Sequence, residues 1–207
     1  MLKNLNLSKR INLLILLTVI FTVFILSFMV LKLSRDMLSE NSGKIALDVA
    51  AVTSATIKPE EFQEIKETKD SSSDTFNSIR NRLDFIRRIS GSKYLYTMAK
   101  NDNGEYIYII DGSEEPMSLG YVEDTYEAYD IAYNGTPFID KTIRETEYGV
   151  LVSAYHPIKL NNEVIGFVGI DYDIEDGYRI FQNMRSNIII LSFILLIISL
   201  LISFVFS

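Results

Sequence analysis

The sequence lacks several residue types on which catalytic and metal-binding sites depend. Its 207 residues include no cysteine, no tryptophan and a single histidine, His156. The absence of cysteine excludes disulfide bonds, thiolate nucleophiles and thiolate-ligated metals. Because there is one histidine, no close Ser-His-Asp arrangement and no glycine-rich phosphate loop, the sequence predicts no catalytic residues, no cofactor and no enzyme activity.

Basic residues are also few. The chain carries 20 lysines and arginines against 27 aspartates and glutamates, a formal net charge of −7. Nucleic-acid binding depends on positive surface charge, so the composition argues against nucleic acid as a partner. All 27 acidic residues but only 16 of the basic ones lie between residues 34 and 187, which gives this stretch a net charge of −11.

Charge is missing altogether from two long stretches, the 21 residues Ile11–Leu31 and the 19 residues Ile188–Phe206. As a helix, each has about the length that crosses the hydrocarbon core of a bilayer. Neither has the polar face of a helix packed on a soluble core. No small-residue cleavage site follows the first run in Leu31–Arg35, so we interpret it as an uncleaved anchor rather than a signal peptide.

The flanks of the first run predict an orientation in the cell membrane. Lys3, Lys9 and Arg10 precede it without any acidic residue, which favours a cytoplasmic N-terminus. Because the second run ends one residue before the sequence does, we expect the sensor part of a longer protein or a receptor without its own output domain. The predicted parts are a cytoplasmic tail (1–10), a first transmembrane helix (11–33), an extracellular domain (34–187) and a second transmembrane helix (188–206).

The first part of the extracellular stretch has a helical pattern. Leu38, Ile45 and Val52 recur every seven residues, so we expect the first apolar helix to continue to about residue 56. A stripe with this spacing suits packing against the same helix of a second copy. The sequence therefore predicts a homodimer through residues 34–56. Start and stop signals predict two more helices between residues 59 and 90.

After Gly91 the pattern changes from helical to alternating, which is typical of strands. The two asparagines Asn161-Asn162 form a favoured two-residue hairpin turn. We predict an α+β fold, an antiparallel sheet of about five strands with a long N-terminal helix, flanked by two transmembrane helices. The predicted strands are 94–99, 105–110, 138–144, 150–160 and 163–173, with a short helix over 123–133.

Hairpin register predicts which side chains share a face of the sheet. If Asn161-Asn162 is the loop, opposite residues in the last two strands have numbers that sum to 323. This register places Ser153 and Tyr155 on the opposite face from Asp171. In the first hairpin, an even-numbered loop would put Tyr96 on one face with Asp111 and would direct Tyr106 and Tyr108 to the other, whereas a three-residue loop would place these tyrosines on one face.

Both faces of the predicted sheet are largely apolar, so both must be covered. We expect the long helix on one face and the segment from Asp111 to Gly135 on the other. We call this segment the lid. A sheet under a lid built from loops is a common form of ligand pocket.

Few polar groups are available to such a pocket. Asp171 follows Gly169 and could bind an ammonium group, although it could equally cap the next helix. Tyr126 and Tyr129 share one face of the lid helix, where packing is the alternative role. Arg144 could bind a carboxylate through two hydrogen bonds or be a surface charge. The predicted ligand-binding residues are Tyr96, Asp111, Tyr126, Tyr129, Arg144 and Asp171.

Calcium binding is a further hypothesis for the stretch DYDIEDG. It places Asp171, Asp173, Asp176 and Gly177 close together, but the third acid comes one residue later than in a calcium loop. Acidic residues at a helix N-terminus explain the same pattern, because the helix dipole favours them there. We therefore predict no metal ligand here and retain calcium as an alternative.

Three stretches together resemble the extracellular Cache sensor domains of bacterial receptors. They are YLYTMAKNDNGEYIYIIDG, LGYVEDTYEAYDIAYNG and YGVLVSAYHPIKLNNEVIGFVGIDYDI, and the resemblance covers residues 34–187. It implies a PAS-like sheet behind a long N-terminal helix, held between two membrane helices. Domains of this kind occur in chemoreceptors, in histidine kinases and in cyclic-dinucleotide enzymes.

The resemblance also bears on the ligand. Cache domains that bind amino acids carry an Arg-x-Trp-Tyr pattern on the lid and an aspartate on the final strand. Tyr129 and Asp171 match this pattern, whereas the arginine and the tryptophan are absent. We predict that the ligand is an amine, an amino acid or a small organic acid, that it closes the lid, and that the second transmembrane helix transmits the change. The alternative is a membrane-anchored interaction domain without a small-molecule ligand.

Overall fold

The computed structural model describes residues 7–147 and 149–205, which divide into two compact units. One unit comprises residues 39–175, and the other joins residues up to 38 with residues from 176 onward. The helices are α1 (Leu7–Thr56), α2 (Pro59–Thr68), α3 (Asp74–Ser90), α4 (Glu127–Tyr133) and α5 (Glu175–Val205). The strands are β1 (Ser92–Lys100), β2 (Tyr106–Asp111), β3 (Phe138–Thr146), β4 (Gly149–Leu160) and β5 (Glu163–Asp173).

Local signals set the helix ends. Pro59 occupies the first turn of α2, where its missing N–H costs no hydrogen bond. The Ser73 hydroxyl caps α3 by accepting from the Phe76 N–H at 3.2 Å. Gly91 ends α3 in the left-handed conformation, with φ of 70°. The predicted start and stop signals are therefore confirmed.

The five strands form one antiparallel sheet in the order β2-β1-β5-β4-β3. This confirms the predicted α+β class and the five-strand sheet. Helices α1, α2 and α3 cover one face of the sheet, where apolar side chains from all three pack on Ile109, Ala154 and Ile170. Helix α4 covers the other face, as predicted for the lid. The sheet thus has a buried layer on each side.

The register of β1 and β2 differs from the prediction. Thr97 lies opposite Ile110 but Met98 lies opposite Tyr108, so one extra residue of β2 is accommodated between them. The loop between Lys100 and Tyr106 has five residues, an odd number. Tyr106 and Tyr108 therefore lie on the same face as Tyr96, and the predicted separation of these tyrosines is wrong.

The register of β4 and β5 also shifts once. Near the turn, opposite residues sum to 323 as predicted, for example Leu160 with Glu163. Beyond the irregularity after Ile158 they sum to 324, so Ser153 lies opposite Asp171. A one-residue shift moves side chains to the other face. Ser153 and Tyr155 therefore share the face of Asp171, and the predicted opposite placement is wrong.

Among the described residues, two helices are long and apolar enough to cross a membrane, within Lys9–Thr56 and Glu175–Val205. Many of their large apolar side chains are exposed, as for Phe24 and Phe193. Within their shared unit the Ser27 and Ser192 hydroxyls lie 2.9 Å apart, so Ser192 faces the chain's own first helix. The domain boundaries and the membrane topology stay predictions.

Candidate ligand-binding site

The face of the sheet under α4 is built almost entirely from aromatic rings. The Tyr129 ring, from the middle of α4, stacks on Phe167 of β5 with 5.5 Å between centroids. It also meets Tyr155 of β4 edge-on at 5.4 Å. We call this layer the tyrosine face. Its buried members are Tyr96, Met98, Tyr106, Tyr108, Ala128, Tyr129, Ala132, Tyr155 and Phe167.

A chain of polar groups runs along the edge of the tyrosine face. The Arg144 guanidinium donates to the Ser153 hydroxyl, and this hydroxyl donates to the Asp171 carboxylate. Arg144 Nη2 and Asp171 Oδ1 are 4.0 Å apart, and the Asp171 side chain is only 18% exposed. Opposite charges at such a distance stabilise one another more strongly than on an open surface.

A second carboxylate meets the same arginine. Arg144 Nη2 lies 3.6 Å from Asp140 Oδ2, and the Asp140 side chain is 7% exposed. Strand β3 contains two extra residues between its pairing with Ser153 and its pairing with Leu151, and this irregularity brings Arg144 back towards Asp140. The Tyr126 hydroxyl donates to Asp140 Oδ2 at 2.5 Å, which ties the start of α4 to β3.

Burial shifts the pKa values of the side chains in and around these polar groups. Burial raises the pKa of the Asp171 carboxyl above its usual value, against the hydrogen bond from Ser153 and the charge of Arg144. Burial also raises the pKa of the Tyr96 and Tyr155 hydroxyls well above 10. These two hydroxyls therefore remain protonated and can donate hydrogen bonds to an anion or a carbonyl.

A separate cluster holds the middle of α4. The Asp130 carboxylate accepts from the Tyr106 hydroxyl at 2.6 Å and from Lys100 Nζ at 3.1 Å. Lys100 Nζ also lies 4.8 Å from the centre of the Tyr106 ring, a cation–π arrangement. Helix α4 is thus attached to the sheet at two points, through Tyr126 just before its start and through Asp130 in its middle.

Asp111 has a different role from the other predicted residues. Its carboxylate accepts from the Ser113 N–H at 2.9 Å and from the Met117 N–H at 2.8 Å, so it holds the loop that follows β2. Buried Arg87 reinforces this loop by donating to the Gly112 carbonyl at 3.0 Å.

Residues 120–123 then run beside β2. The Tyr108 N–H donates to Tyr121 O at 3.0 Å, and the Glu123 N–H donates to Tyr106 O at 2.9 Å. Backbone hydrogen bonds therefore fix the first half of the predicted lid. Residues 124–135 of the lid are attached to the sheet mainly through side chains, among them Tyr126 and Asp130.

The structure brings five of the six predicted ligand-binding residues to one place. Asp171 and Arg144 lie in the polar chain, while the rings of Tyr96, Tyr126 and Tyr129 lie on or beside it. The ligand-binding role of all six residues stays a prediction. Asp111 lies apart from the other five, where its carboxylate holds the loop that follows β2.

The sequence pattern does not indicate Ser153, Tyr155 or Asp140 as site residues. The predicted register puts Ser153 and Tyr155 on the wrong face because it contains no shift after Ile158. Pro157 indicates this shift, because a proline inside a central strand usually marks an irregularity.

The acids of the DYDIEDG stretch serve separate purposes. Asp171 belongs to the polar chain, Asp173 accepts from the Glu175 N–H at 2.8 Å, and Asp176 pairs with Arg179 at 2.7 Å. Across residues 7–147 and 149–205, no group of three or more histidine, aspartate or glutamate side chains is arranged to hold a metal ion.

Comparison with solved structures identifies the fold. The sensor domain of E. coli DcuS superposes with a TM-score of 0.50 at 15% identity, covering 69% of this chain and 96% of that one. The sensor domain of the V. cholerae histidine kinase DctB gives 0.54 at 12% identity, covering 73% of this chain and 58% of that one. No family model matches the chain, and no curated protein matches it. The chain has the fold of a Cache-like, PAS-like sensor domain.

Proposed function

We propose that the chain senses a small molecule outside the cell and that the tyrosine face and its polar chain form the ligand site. The observation that carries this proposal is the largely buried Asp171 carboxylate, joined to Ser153 and Arg144 beside aromatic rings. Buried charges with a few convergent polar groups are more typical of binding sites than of structural cores. The proposal assigns no catalysis to the chain, and the ligand is an amine, an amino acid or a small organic acid.

A thermal-shift screen of those three ligand classes tests the proposal on the full chain in lipid nanodiscs. A ligand that binds only the folded state raises the melting temperature with its concentration. The Asp171→Asn variant should lose the shift. Asp173→Asn, two residues further along β5, is a matched control that should keep it, because asparagine also caps a helix well. A shift that survives in Asp171→Asn would place the ligand elsewhere.

The signal in this proposal starts with movement of residues 124–135. Ligand binding beneath α4 would rearrange the contacts of Tyr126 and Asp130, which attach this helix to the sheet. Strand β5 ends at Asp173 and α5 begins at Glu175, so a shift of β5 has a short route into the second apolar helix. The ligand must bind one lid state more tightly than the other, since equal affinity shifts no equilibrium.

The membrane topology has its own test. In the proposal both apolar helices cross the cell membrane and the residues between them lie outside. A reporter that works only outside the cytoplasm should be active when it is inserted at Gly104, in the exposed β1–β2 loop. A cytoplasmic reporter signal at this position, or a mature N-terminus beyond Leu33, would remove the receptor interpretation.

The dimer part of the proposal rests on the outer face of α1. Ile45 and Val52, seven residues apart, are both exposed large apolar side chains. Because the chain has no native cysteine, single cysteines at Leu38, Ile45 and Val52 can be tested for crosslinking between copies without background. Cysteines at the fully buried Ala46 and Ala50 are the controls. Equal crosslinking at exposed and buried positions would contradict a parallel helix pair.

A further inference from the structure

The groups around Arg144 are those that recognise a positive charge. Its guanidinium donates to Ser153 and lies 3.6 Å from Asp140 and 4.0 Å from Asp171. Its Cζ atom is 5.3 Å from the centre of the Tyr126 ring, within the range of a cation–π contact. It also interacts with the Tyr155 hydroxyl. Carboxylates, a hydroxyl and an aromatic face are the usual components of an organic-cation site.

The balance of charge in this cluster favours a cation over an anion. Two carboxylates, Asp140 and Asp171, face a single positive group. If Arg144 turned away to bind a ligand carboxylate, both buried acids would lose their shared cation, and the ligand would add a third negative charge. Leaving a buried charge without its partner is strongly unfavourable. A ligand that brings its own positive charge avoids this cost.

The arginine is also the member of the cluster that can leave. Asp140 is held by the Tyr126 hydroxyl and by the Thr142 N–H at 2.9 Å, and Asp171 is held by Ser153. Arg144 lies on the edge strand β3, and its side chain is 36% exposed. A long side chain at an edge can turn into solvent, where its charge is well hydrated. The acids therefore form a fixed cation site that the chain's own arginine fills.

From this arrangement we propose that Arg144 is an internal competitor at a cation subsite, and that the sensed ligand carries an ammonium or guanidinium group that displaces it. The inference rests on the proposed sensing function and narrows its ligand class to organic cations. It reverses the sequence hypothesis that Arg144 binds a ligand carboxylate. Arg144 becomes a specificity-determining residue, because only a cation that meets both Asp140 and Asp171 replaces it.

Chemical rescue of an Arg144→Ala variant tests the cation subsite without knowledge of the natural ligand. Methylguanidinium chloride at millimolar concentration should raise the melting temperature of this variant, by about 3 °C when present at roughly ten times its dissociation constant. It should raise that of the wild-type chain much less, because Arg144 competes for the subsite there. N-methylurea, a neutral molecule of the same shape, and sodium chloride at equal ionic strength should have no such effect.

The rescue must also depend on the acids. In the double variant Arg144→Ala/Asp171→Asn, methylguanidinium should stabilise the chain much less. Equal stabilisation by methylguanidinium and N-methylurea, or rescue that persists without Asp171, would overturn the cation subsite. If Arg144→Ala does not fold, the comparison is made with Arg144→Gln, which keeps most of the side-chain volume but has no charge.

Ligand affinities separate this inference from the proposed function itself. If Arg144 fills the subsite nine-tenths of the time, its removal should strengthen the binding of short alkylamines about tenfold. Amine binding that strengthens in Arg144→Gln supports both proposals. Carboxylate binding to the wild-type chain that is lost in Arg144→Gln overturns the competitor role and leaves sensing intact. No binding of any amine or carboxylate to either form, without rescue, overturns both.

Discussion

The ring of Tyr96 lies directly over the backbone of Gly169 on the neighbouring strand. A Cβ atom built on Gly169 would come 2.3 Å from Cε2 of Tyr96, far closer than atoms pack. Tyr96 and Gly169 are opposite one another in the β1–β5 pairing. The glycine therefore allows a buried tyrosine to lie flat on the sheet beside Asp171, in the middle of the tyrosine face.

Replacing that glycine should displace the tyrosine. We expect Gly169→Ala to lower the free energy of unfolding by about 1–3 kcal/mol, because the core cannot accept the added methyl group without moving Tyr96. Denaturant unfolding measures this. In a Tyr96→Ala background the same change should cost at least about 1 kcal/mol less, since the ring is gone. Equal costs in both backgrounds would show that the ring contact is not the cause.

The attachment of α4 through Asp130 should depend on pH. The hydrogen bond from Tyr106, and then that from Lys100, lower the pKa of the Asp130 carboxyl. The unfolded chain takes up the proton near pH 4, and the folded chain takes it up only at lower pH. The stability contributed by Asp130 is thus present above about pH 4 and is lost as the pH falls through the folded pKa.

Unfolding of the wild-type chain and of Asp130→Asn across this pH range measures the effect. The difference between their free energies of unfolding should be constant above about pH 5 and should shrink towards pH 3. Tyr106→Phe should remove a large part of the same pH dependence, because it removes the principal hydrogen-bond donor. A difference that stays constant down to the lowest pH at which the chain folds would contradict this role of Asp130.

Two adjacent arginines of α3 should differ sharply in importance. Arg87 is 9% exposed and donates to the Gly112 carbonyl, whereas Arg88 is 62% exposed and contacts only Asp84 among the described charges. We expect Arg87→Gln to destabilise the chain by about 1–3 kcal/mol, because it leaves a buried carbonyl without its partner. Arg88→Gln should change stability by less than about 0.5 kcal/mol.

Hydrogen exchange locates the effect of the Arg87 change. Faster exchange is expected at residues 112–119, the loop that Arg87 and Asp111 hold together. Arg88→Gln is the matched control and should leave exchange there as in the wild-type chain. Equal effects of the two substitutions would mean that the loop does not depend on the buried hydrogen bond.

The hydroxyl of Tyr126 should control how readily α4 opens. Tyr126→Phe removes the 2.5 Å hydrogen bond to Asp140 and keeps the ring over Arg144. We expect faster hydrogen exchange across residues 127–133, because one of the two attachments of this helix is lost. Tyr121→Phe, at an exposed tyrosine of the preceding segment, is the control. Unchanged exchange in Tyr126→Phe would assign the attachment to Asp130 alone.

Much of the candidate site could be anticipated from single residues, but not its geometry. The position of Asp171, just after Gly169 on a late strand, indicates a ligand-binding residue. Tyr126 and Tyr129 are indicated by their spacing of three residues on a short helix. Asp140 carried no such signal. It meets Arg144 only because β3 accommodates two extra residues against β4, and nothing in the local pattern of residues 138–146 required that irregularity.

The sequence by itself determined the two uncharged runs, the helix ends and the existence of the strands, because proline, serine and glycine signals and hydrophobic periodicity act within a few residues. Only the tertiary structure decided which side chains meet. A single unpaired residue in a strand reverses the face of every residue beyond it. The five-residue loop between β1 and β2 put Tyr106 and Tyr108 on the face of Tyr96, and the shift after Ile158 brought Ser153 opposite Asp171. Loop lengths and unpaired residues depend on how whole strands pair and pack in the sheet, and the hydrophobic alternation within one strand does not reveal them.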